Sequence, residues 1–193
     1  MARTVAPVGS LLPEDQRAFA AAVDRAWHVA ASQKDPAART RMLAARGEDL
    51  RTALGNTLDF QDWRCTLTYI AFLRETTLVA LHVLGSKGRA RATIGNFSFA
   101  GDSAVRIEPD SPLGRQARAL RLDMEVSASG FFVPDAQRGC AAAYGKAPST
   151  VDAEFEIPLF TVRFTSLVPV PRSNGAAQGS EQAIVPPTPD SEG

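Results

Sequence analysis

The stretch DWRCTLTYIAFL, residues 62–73, marks the point at which the apolar pattern of the chain changes its period. Apolar and polar residues alternate along it, and the apolar positions are Trp63, Cys65, Leu67, Tyr69 and Ala71. Alternation over this length is typical of a half-buried β-strand. We therefore predict a strand here, with those side chains facing the core.

Four further segments downstream show the features of strands. They are TTLVALHVLG (76–85), ARATIGNFSF (90–99), DMEVSASGFFV (123–133) and FEIPLFTVRFTSLVPV (155–170). The segment DSPLGRQARAL (110–120) interrupts this series and predicts a helix. Ser111 is a good N-cap, and Pro112 suits the first helical position.

Upstream of the strands, two segments repeat apolar residues at three- and four-residue spacing, which indicates amphipathic helices. The apolar stripes are Phe19, Val23, Ala26, Trp27 and Ala30 in the first segment, and Met42, Ala45, Leu50 and Leu54 in the second. Pro13 and an acidic first turn begin the first helix, and Gly55 fits a C-terminal cap of the second. The two together predict a helical hairpin over residues 13–55.

Three strands, a helix and two further strands predict an α+β, mainly β fold. A five-stranded barrel with a helix between its third and fourth strands is the OB-like arrangement, and we expect it over residues 59–170. An SH3-like barrel and an open sheet capped by the hairpin remain alternatives. Residues 1–12 are expected to form a flexible N-terminus. Residues 171–193 have almost nothing to bury and are predicted to be a disordered tail.

The segments DWRCTL, DSPLGRQARALRLDMEVSASGFF and IPLFTVRFTSL also carry a resemblance. The chain resembles uncharacterised bacterial proteins that pair an N-terminal helical segment with an OB-like β domain. The matching residues are Trp63, Ser111 to Leu113, Ser129 to Phe131, and Pro158 to Phe164. The resemblance covers roughly residues 59 to 168. It implies the fold and supplies no catalytic or binding residue.

Composition restricts the classes of partner. The chain has 193 residues, with 21 basic and 21 acidic side chains and a formal net charge of zero, so no global field attracts nucleic acid or anionic lipid. No apolar run is long enough to span a membrane, and the N-terminus lacks a signal peptide. We therefore expect a cytoplasmic protein, and export would require a leader that is missing from this sequence.

One local feature could still bind nucleic acid. Lys87, Arg89 and Arg91 surround a predicted turn, and Arg64 and Arg163 could extend them into a basic strip on the barrel. Binding of single strands also needs exposed aromatic side chains for base stacking. Trp63, Tyr69, Phe160 and Phe164 all fall on predicted core faces. We therefore expect a solvated hairpin tip and weak nucleic-acid binding.

Catalytic and metal sites are not predicted. The chain has two histidines and two cysteines without metal-ligand spacing, and neither GSKG nor GKAPST has the form of a phosphate-binding loop. His82 lacks an accompanying nucleophile motif, so no catalytic residue and no cofactor is predicted. Cys65 and Cys140 are expected to lie within disulfide-bridging range, remaining thiols in a reducing compartment.

These features predict a non-enzymatic binding or interaction module, whose partner is a protein of unknown identity. Single-stranded nucleic-acid binding through the basic turn between the second and third strands is the alternative.

Overall fold

The alternating segments form a closed barrel in the strand order β1-β2-β3-β5-β4. The protein is represented by a computed structural model that describes residues 12–85, 91–97, 105–134 and 158–171. Within these residues the strands are β1 (Asp59–Phe72), β2 (Thr77–Val83), β3 (Thr93–Gly95), β4 (Glu125–Phe132) and β5 (Leu159–Pro169). The helices are α1 (Glu14–Ser32), α2 (Pro36–Leu54) and α3 (Pro112–Arg118).

The topology confirms the predicted α+β, mainly β fold. β1 pairs antiparallel with both β2 and β4, and the parallel pairing of β3 with β5 closes the barrel. α3 connects β3 to β4 along the chain, as the OB-like arrangement requires. An open sheet is excluded because the ladder of strands returns to β1.

Local sequence signals account for the helix starts. The Asp35 side chain accepts hydrogen bonds from the backbone N–H groups of Ala37 and Ala38 at the start of α2. The Ser111 hydroxyl accepts from the Gly114 N–H at the start of α3. Both are N-caps that satisfy otherwise unpaired donors of the first turn.

The helical hairpin closes one end of the barrel. Phe19 of α1 is fully buried, and its ring centroid lies 5.0 Å from that of Trp63 and 5.3 Å from those of Phe132 and Phe160. Aromatic pairs at these separations stabilise a core beyond the burial of their area. The hairpin therefore shares one hydrophobic core with the strands.

The packing of α2 differs from its predicted stripe at one position. Leu50 and Leu54 are buried as predicted, whereas Ala45 is exposed. Arg46, the next residue, is buried instead. Its guanidinium carbon lies 5.6 Å from the centre of the Phe160 ring, and the ring face attracts the cation, which offsets part of the cost of burying its charge.

α3 covers the opposite end of the barrel. Ala117 and Leu120 are buried there. The side-chain oxygen of Gln116 accepts a hydrogen bond from the Leu167 N–H of β5 at 3.1 Å. This contact satisfies a backbone donor at a part of β5 that lies beyond its pairing with β3.

A register shift between Leu67 and Tyr69 overturns the predicted orientation of β1 after Leu67. Trp63, Cys65 and Leu67 are fully buried, as predicted, but Tyr69 is 46 % exposed. The shift is an extra residue in one strand, and one extra residue reverses which side chains face the core. The prediction that Tyr69 lies in the core is therefore wrong.

Several predicted features lie outside the described residues. These are Lys87, Arg89, Cys140, residues 1–11 and residues 172–193. Among the helices of the described part, none has a stretch of sufficient length and hydropathy to cross a membrane.

Candidate functional site

The outer surface of the β1–β2 hairpin carries exposed apolar side chains. The hairpin closes on a two-residue turn, Arg74–Glu75, where the Leu73 N–H donates to the Thr76 carbonyl at 2.9 Å. Tyr69 and Leu73 are 46 % and 51 % exposed. They lie on the same face of the hairpin because successive side chains of a strand point to opposite faces and the two residues are four positions apart. Ile70, which follows Tyr69, points to the other face and packs against the core.

The residues beside Tyr69 on the two neighbouring strands are small. Tyr69 is paired with Ala80 on β2, and Ala80 is paired with Gly95 on β3. The Phe97 ring folds back over Gly95, where an added β-carbon would lie only 2.7 Å from two ring atoms. Phe97 reaches Tyr69, with 5.7 Å between the ring centroids. We name Tyr69, Leu73 and Phe97 the hairpin face.

A polar row borders the hairpin face. Thr66, His82 and Thr93 are register partners across β1, β2 and β3. His82 Nδ1 lies 3.2 Å from the Ala92 carbonyl oxygen. Burial and the nearby Arg91 lower the pKa of His82, against an opposing contribution from the Ala92 hydrogen bond. The neutral imidazole donates to that carbonyl, which leaves its other nitrogen as an acceptor.

The predicted basic residues have different partners. Arg64 forms an ion pair with Glu125 of β4, so its charge is compensated. Arg163 lies over the Phe131 ring, with its guanidinium carbon 5.1 Å from the ring centre. Arg91 is exposed beside β3. A compensated or stacked guanidinium is less available to a phosphate than a free one.

The arginines on β1 and β5 do not meet. Arg64 is opposite Ser127, and Arg163 is opposite Phe131, on the two edges of β4. These positions are four residues apart along β4, which is about 13 Å at roughly 3.3 Å per residue. Arg64 and Arg163 therefore do not form one continuous strip.

Cys65 is not placed for chemistry. Its side chain is fully buried in the core. Burial, and secondarily the charge of Glu125, raises the pKa of the thiol far above its ordinary value. The thiolate is the reactive form of cysteine, so this residue behaves as an apolar core side chain. Its proposed partner Cys140 lies outside the described residues.

Sequence reasoning missed the hairpin face because it assigned Tyr69 to the core. The bulge that exposes Tyr69 lies within an unbroken alternating pattern and has no Gly or Pro to mark it. The consecutive apolar residues Phe72 and Leu73, directly before the charged pair Arg74–Glu75, are the one local signal of an apolar hairpin end.

The described residues contain no group of three or more His, Cys, Asp or Glu side chains arranged to hold a metal ion. Comparison with protein-family models, with curated proteins and with solved structures finds no match for this chain.

Proposed function

We propose that this chain is a non-enzymatic binding module whose hairpin face contacts another protein. The observation that carries the proposal is the exposed Tyr69, whose ring contacts Phe97, with the exposed Leu73 on the same face of the hairpin. Single exposed apolar residues are ordinary on protein surfaces. A group of exposed apolar residues on one face that includes an aromatic pair is typical of a protein–protein interface.

The packing of the barrel directs this proposal to its outer surface. Trp63, Phe60 and Phe160 fill the interior at the end that α1 covers. Ligand sites of small molecules are concave and largely pre-formed. A barrel mouth occupied by the Phe19 ring is poorly suited to that role.

The charge arrangement favours a protein partner over a polyanion. Arg64 is paired with Glu125, and Arg106 lies 3.8 Å from the carboxylate of Glu75 in the hairpin turn. Phosphate backbones are bound by uncompensated cations. Interface cores between proteins, in contrast, are depleted of charged residues and enriched in aromatic ones.

The two side chains best suited to catalysis, those of Cys65 and His82, support a non-enzymatic role. Cys65 is buried, with a raised pKa. His82 is half-buried, and its Nδ1 is engaged by the Ala92 carbonyl. A nucleophile needs an activating base within hydrogen-bond reach, and in the described part of the chain neither residue has a hydrogen bond to such a group.

The test compares two matched double variants of the full chain. Tyr69→Ser with Leu73→Ser removes the hairpin face, while Val29→Ser with Val168→Ser removes two valines that are 53 % and 47 % exposed elsewhere. Each immobilised variant is exposed to an extract of the native host. We expect the control variant to capture the same proteins as the unchanged chain. The hairpin variant should lose them by about tenfold or more, as at an interface hot spot. Equal capture by both folded variants would contradict the proposal.

Single-stranded nucleic-acid binding is the alternative function. The observation that favours it is the Tyr69–Phe97 pair, because the exposed Tyr69 offers the aromatic surface that base stacking requires. Arg91, four residues before Gly95 of β3, is also exposed. Fluorescent oligonucleotides should nevertheless bind weakly. Lys87, Arg89 and Arg91 would give a slope of log affinity against log salt of about −2 at most. Submicromolar binding at physiological salt, abolished when all three are changed to alanine, would favour this alternative.

A further inference from the structure

The second half of β1 has a strand neighbour on one side only within the described residues. β1 pairs with β4 as far as Thr66, and with β2 as far as Phe72. The last contacts on the β4 side are made by Leu67, whose N–H donates to the Met124 carbonyl and whose carbonyl accepts from the Asp123 N–H, both at 2.9 Å. Beyond Leu67 that edge of β1 is unpaired in the described parts of the chain.

The hairpin register identifies which backbone groups face this edge. The Leu73 N–H donates toward β2, to the Thr76 carbonyl. In an antiparallel pair, alternate residues direct their N–H and C=O groups to opposite sides. The backbone N–H and C=O groups of Ala71 and Tyr69 therefore point toward β2, as those of Leu73 do. Ile70 and Phe72 direct both backbone groups outward, where no backbone hydrogen bond to another described residue is formed.

We propose that this edge, Ile70 to Phe72, accepts a strand from the partner protein, which binds as an extended peptide. The inference rests on the proposed function and specifies how the partner is held. Strand addition to an exposed edge uses backbone hydrogen bonds for affinity and alternate side chains for specificity. The added strand would form backbone hydrogen bonds with Ile70 and Phe72. Every second side chain of that strand would then lie on the face of the sheet that carries Tyr69.

The size of the exposed surface favours a peptide over a second copy of the chain. Tyr69 and Leu73 on one face of this edge and Phe72 on the other are each about half exposed. Even together they present only roughly 300 Å² if a large side chain offers about 200 Å². A stable dimer buries about 800 Å² on each partner. A strand of a few residues needs no such area, because its backbone bonds supply part of the affinity.

Charges beside the edge indicate the chemistry of the peptide. Arg74 in the hairpin turn and Arg121 before β4 are both exposed. Within the described residues, the Arg121 guanidinium donates to the backbone carbonyls of Arg118 and Leu120. Asp123 is the neighbouring acid at the Arg121 end. A peptide with apolar alternate residues and an acidic residue next to Arg74 would complement this edge.

Amide hydrogen exchange of the full chain tests whether the edge is open. We expect the Ile70 and Phe72 amides to exchange rapidly and the Tyr69 and Ala71 amides to be protected by β2. Protection of Ile70 and Phe72 that disappears on deletion of residues 173–193 would assign the edge to the chain's own tail and overturn the inference. Protection that increases with protein concentration would assign it to a second copy, with the same consequence.

The binding test uses a displayed library of seven-residue peptides. Valine and threonine alternate along each peptide, and an aspartate stands at one end or the other. Selected peptides are titrated against Phe72→Ala and Phe72→Pro. Both variants lose the ring, but only proline removes the outward N–H, a loss that exposed edge strands tolerate. We expect Phe72→Pro to bind about tenfold more weakly than Phe72→Ala, from one lost hydrogen bond and an unpaired peptide carbonyl.

The two proposals fail separately in this design. Equal affinity of Phe72→Ala and Phe72→Pro would overturn strand addition, while loss of binding in the hairpin-face double variant would still support the proposed function. A selection that returns no peptide sensitive to Phe72→Pro also overturns the inference. Circular dichroism checks that Phe72→Pro folds. Ala71→Pro, which removes a bond to β2, should destabilise the chain and thereby verify the register.

Discussion

The side-chain amide of Gln16 completes the hydrogen bonding of the Arg64 backbone. Its Nε2 donates to the Arg64 carbonyl at 2.7 Å, and its Oε1 accepts from the Arg64 N–H at 2.9 Å. Nε2 also donates to the Leu84 carbonyl at 2.9 Å. The Arg64 carbonyl also accepts from the Leu84 N–H at 3.1 Å. Gln16 therefore bridges β1 and the residue after β2, just past the last register pair, Cys65 with Val83.

Replacing this amide should destabilise the whole fold. Gln16→Leu leaves the Arg64 N–H and the Leu84 carbonyl without their partner in a partly buried place, and we expect the free energy of unfolding to fall by about 2–3 kcal/mol. Gln61→Leu, at an exposed position of β1, is the matched control. Urea-induced unfolding of the two variants measures the difference. Similar stabilities would show that water replaces the Gln16 contacts.

Removing the ring that joins α1 to the barrel should affect every element at once. Phe19→Ala empties the centre of the aromatic cluster, and we expect a loss of about 3–5 kcal/mol, as for other buried aromatics. Val29→Ala, at an exposed position of the same helix, should change stability by less than about 0.5 kcal/mol. Thermal unfolding followed by near- and far-ultraviolet dichroism should show one transition. A separate early transition for the helices would contradict the shared core.

Adding a methyl group at Gly95 should disturb the hairpin face. The new β-carbon would lie 2.7 Å from the Phe97 ring, and we expect Gly95→Ala to cost about 1–3 kcal/mol through overpacking. The double variant with Phe97→Ala should recover most of that loss, because the clashing ring is gone. A double-mutant cycle of unfolding free energies measures this coupling. Additive effects would mean that the nearby Val79 carbonyl, not Phe97, limits the position.

The Cys65 thiol should be inert in the native protein. Because burial raises its pKa, the reactive thiolate is scarce at neutral pH. In the Cys140→Ala variant, which leaves Cys65 as the remaining cysteine, we expect no reaction with Ellman's reagent until the chain is unfolded in urea. Reaction of the native variant within minutes would show that the core opens locally on that timescale.

Stability should decline in mild acid partly through His82. Its folded-state pKa is lowered from the ordinary value of 6.5, chiefly by burial, so the unfolded chain binds a proton more readily. The destabilisation from His82 is absent above the pKa of His82 in the unfolded chain. It grows as the pH falls through 6.5 toward the lower pKa of His82 in the folded chain. His82→Gln should flatten this part of the curve. An unchanged pH dependence, measured by urea unfolding between pH 5 and 7.5, would assign the decline to other groups.

Much of the fold follows from local patterns in the chain. The alternation of Trp63, Cys65 and Leu67 places these residues inward, because successive side chains of a strand point to opposite faces. Ser111 and Pro112 mark the start of α3, because an N-cap hydroxyl and a preset φ both act within one turn. Such signals depend on neighbours in sequence, so the amino-acid order alone determines them.

Tertiary structure decided the surface that we propose as the binding site. Tyr69 faces outward because β1 shifts register against β2 after Leu67, and this shift arises from pairing between strands rather than from the pattern of β1. The charge of Arg64 is compensated by Glu125, sixty-one positions away in the sequence order. Phe19 enters the core only because the closed barrel leaves an end for α1 to cover. Contacts between distant segments form only when the chain folds, and periodicity along one segment carries no record of them.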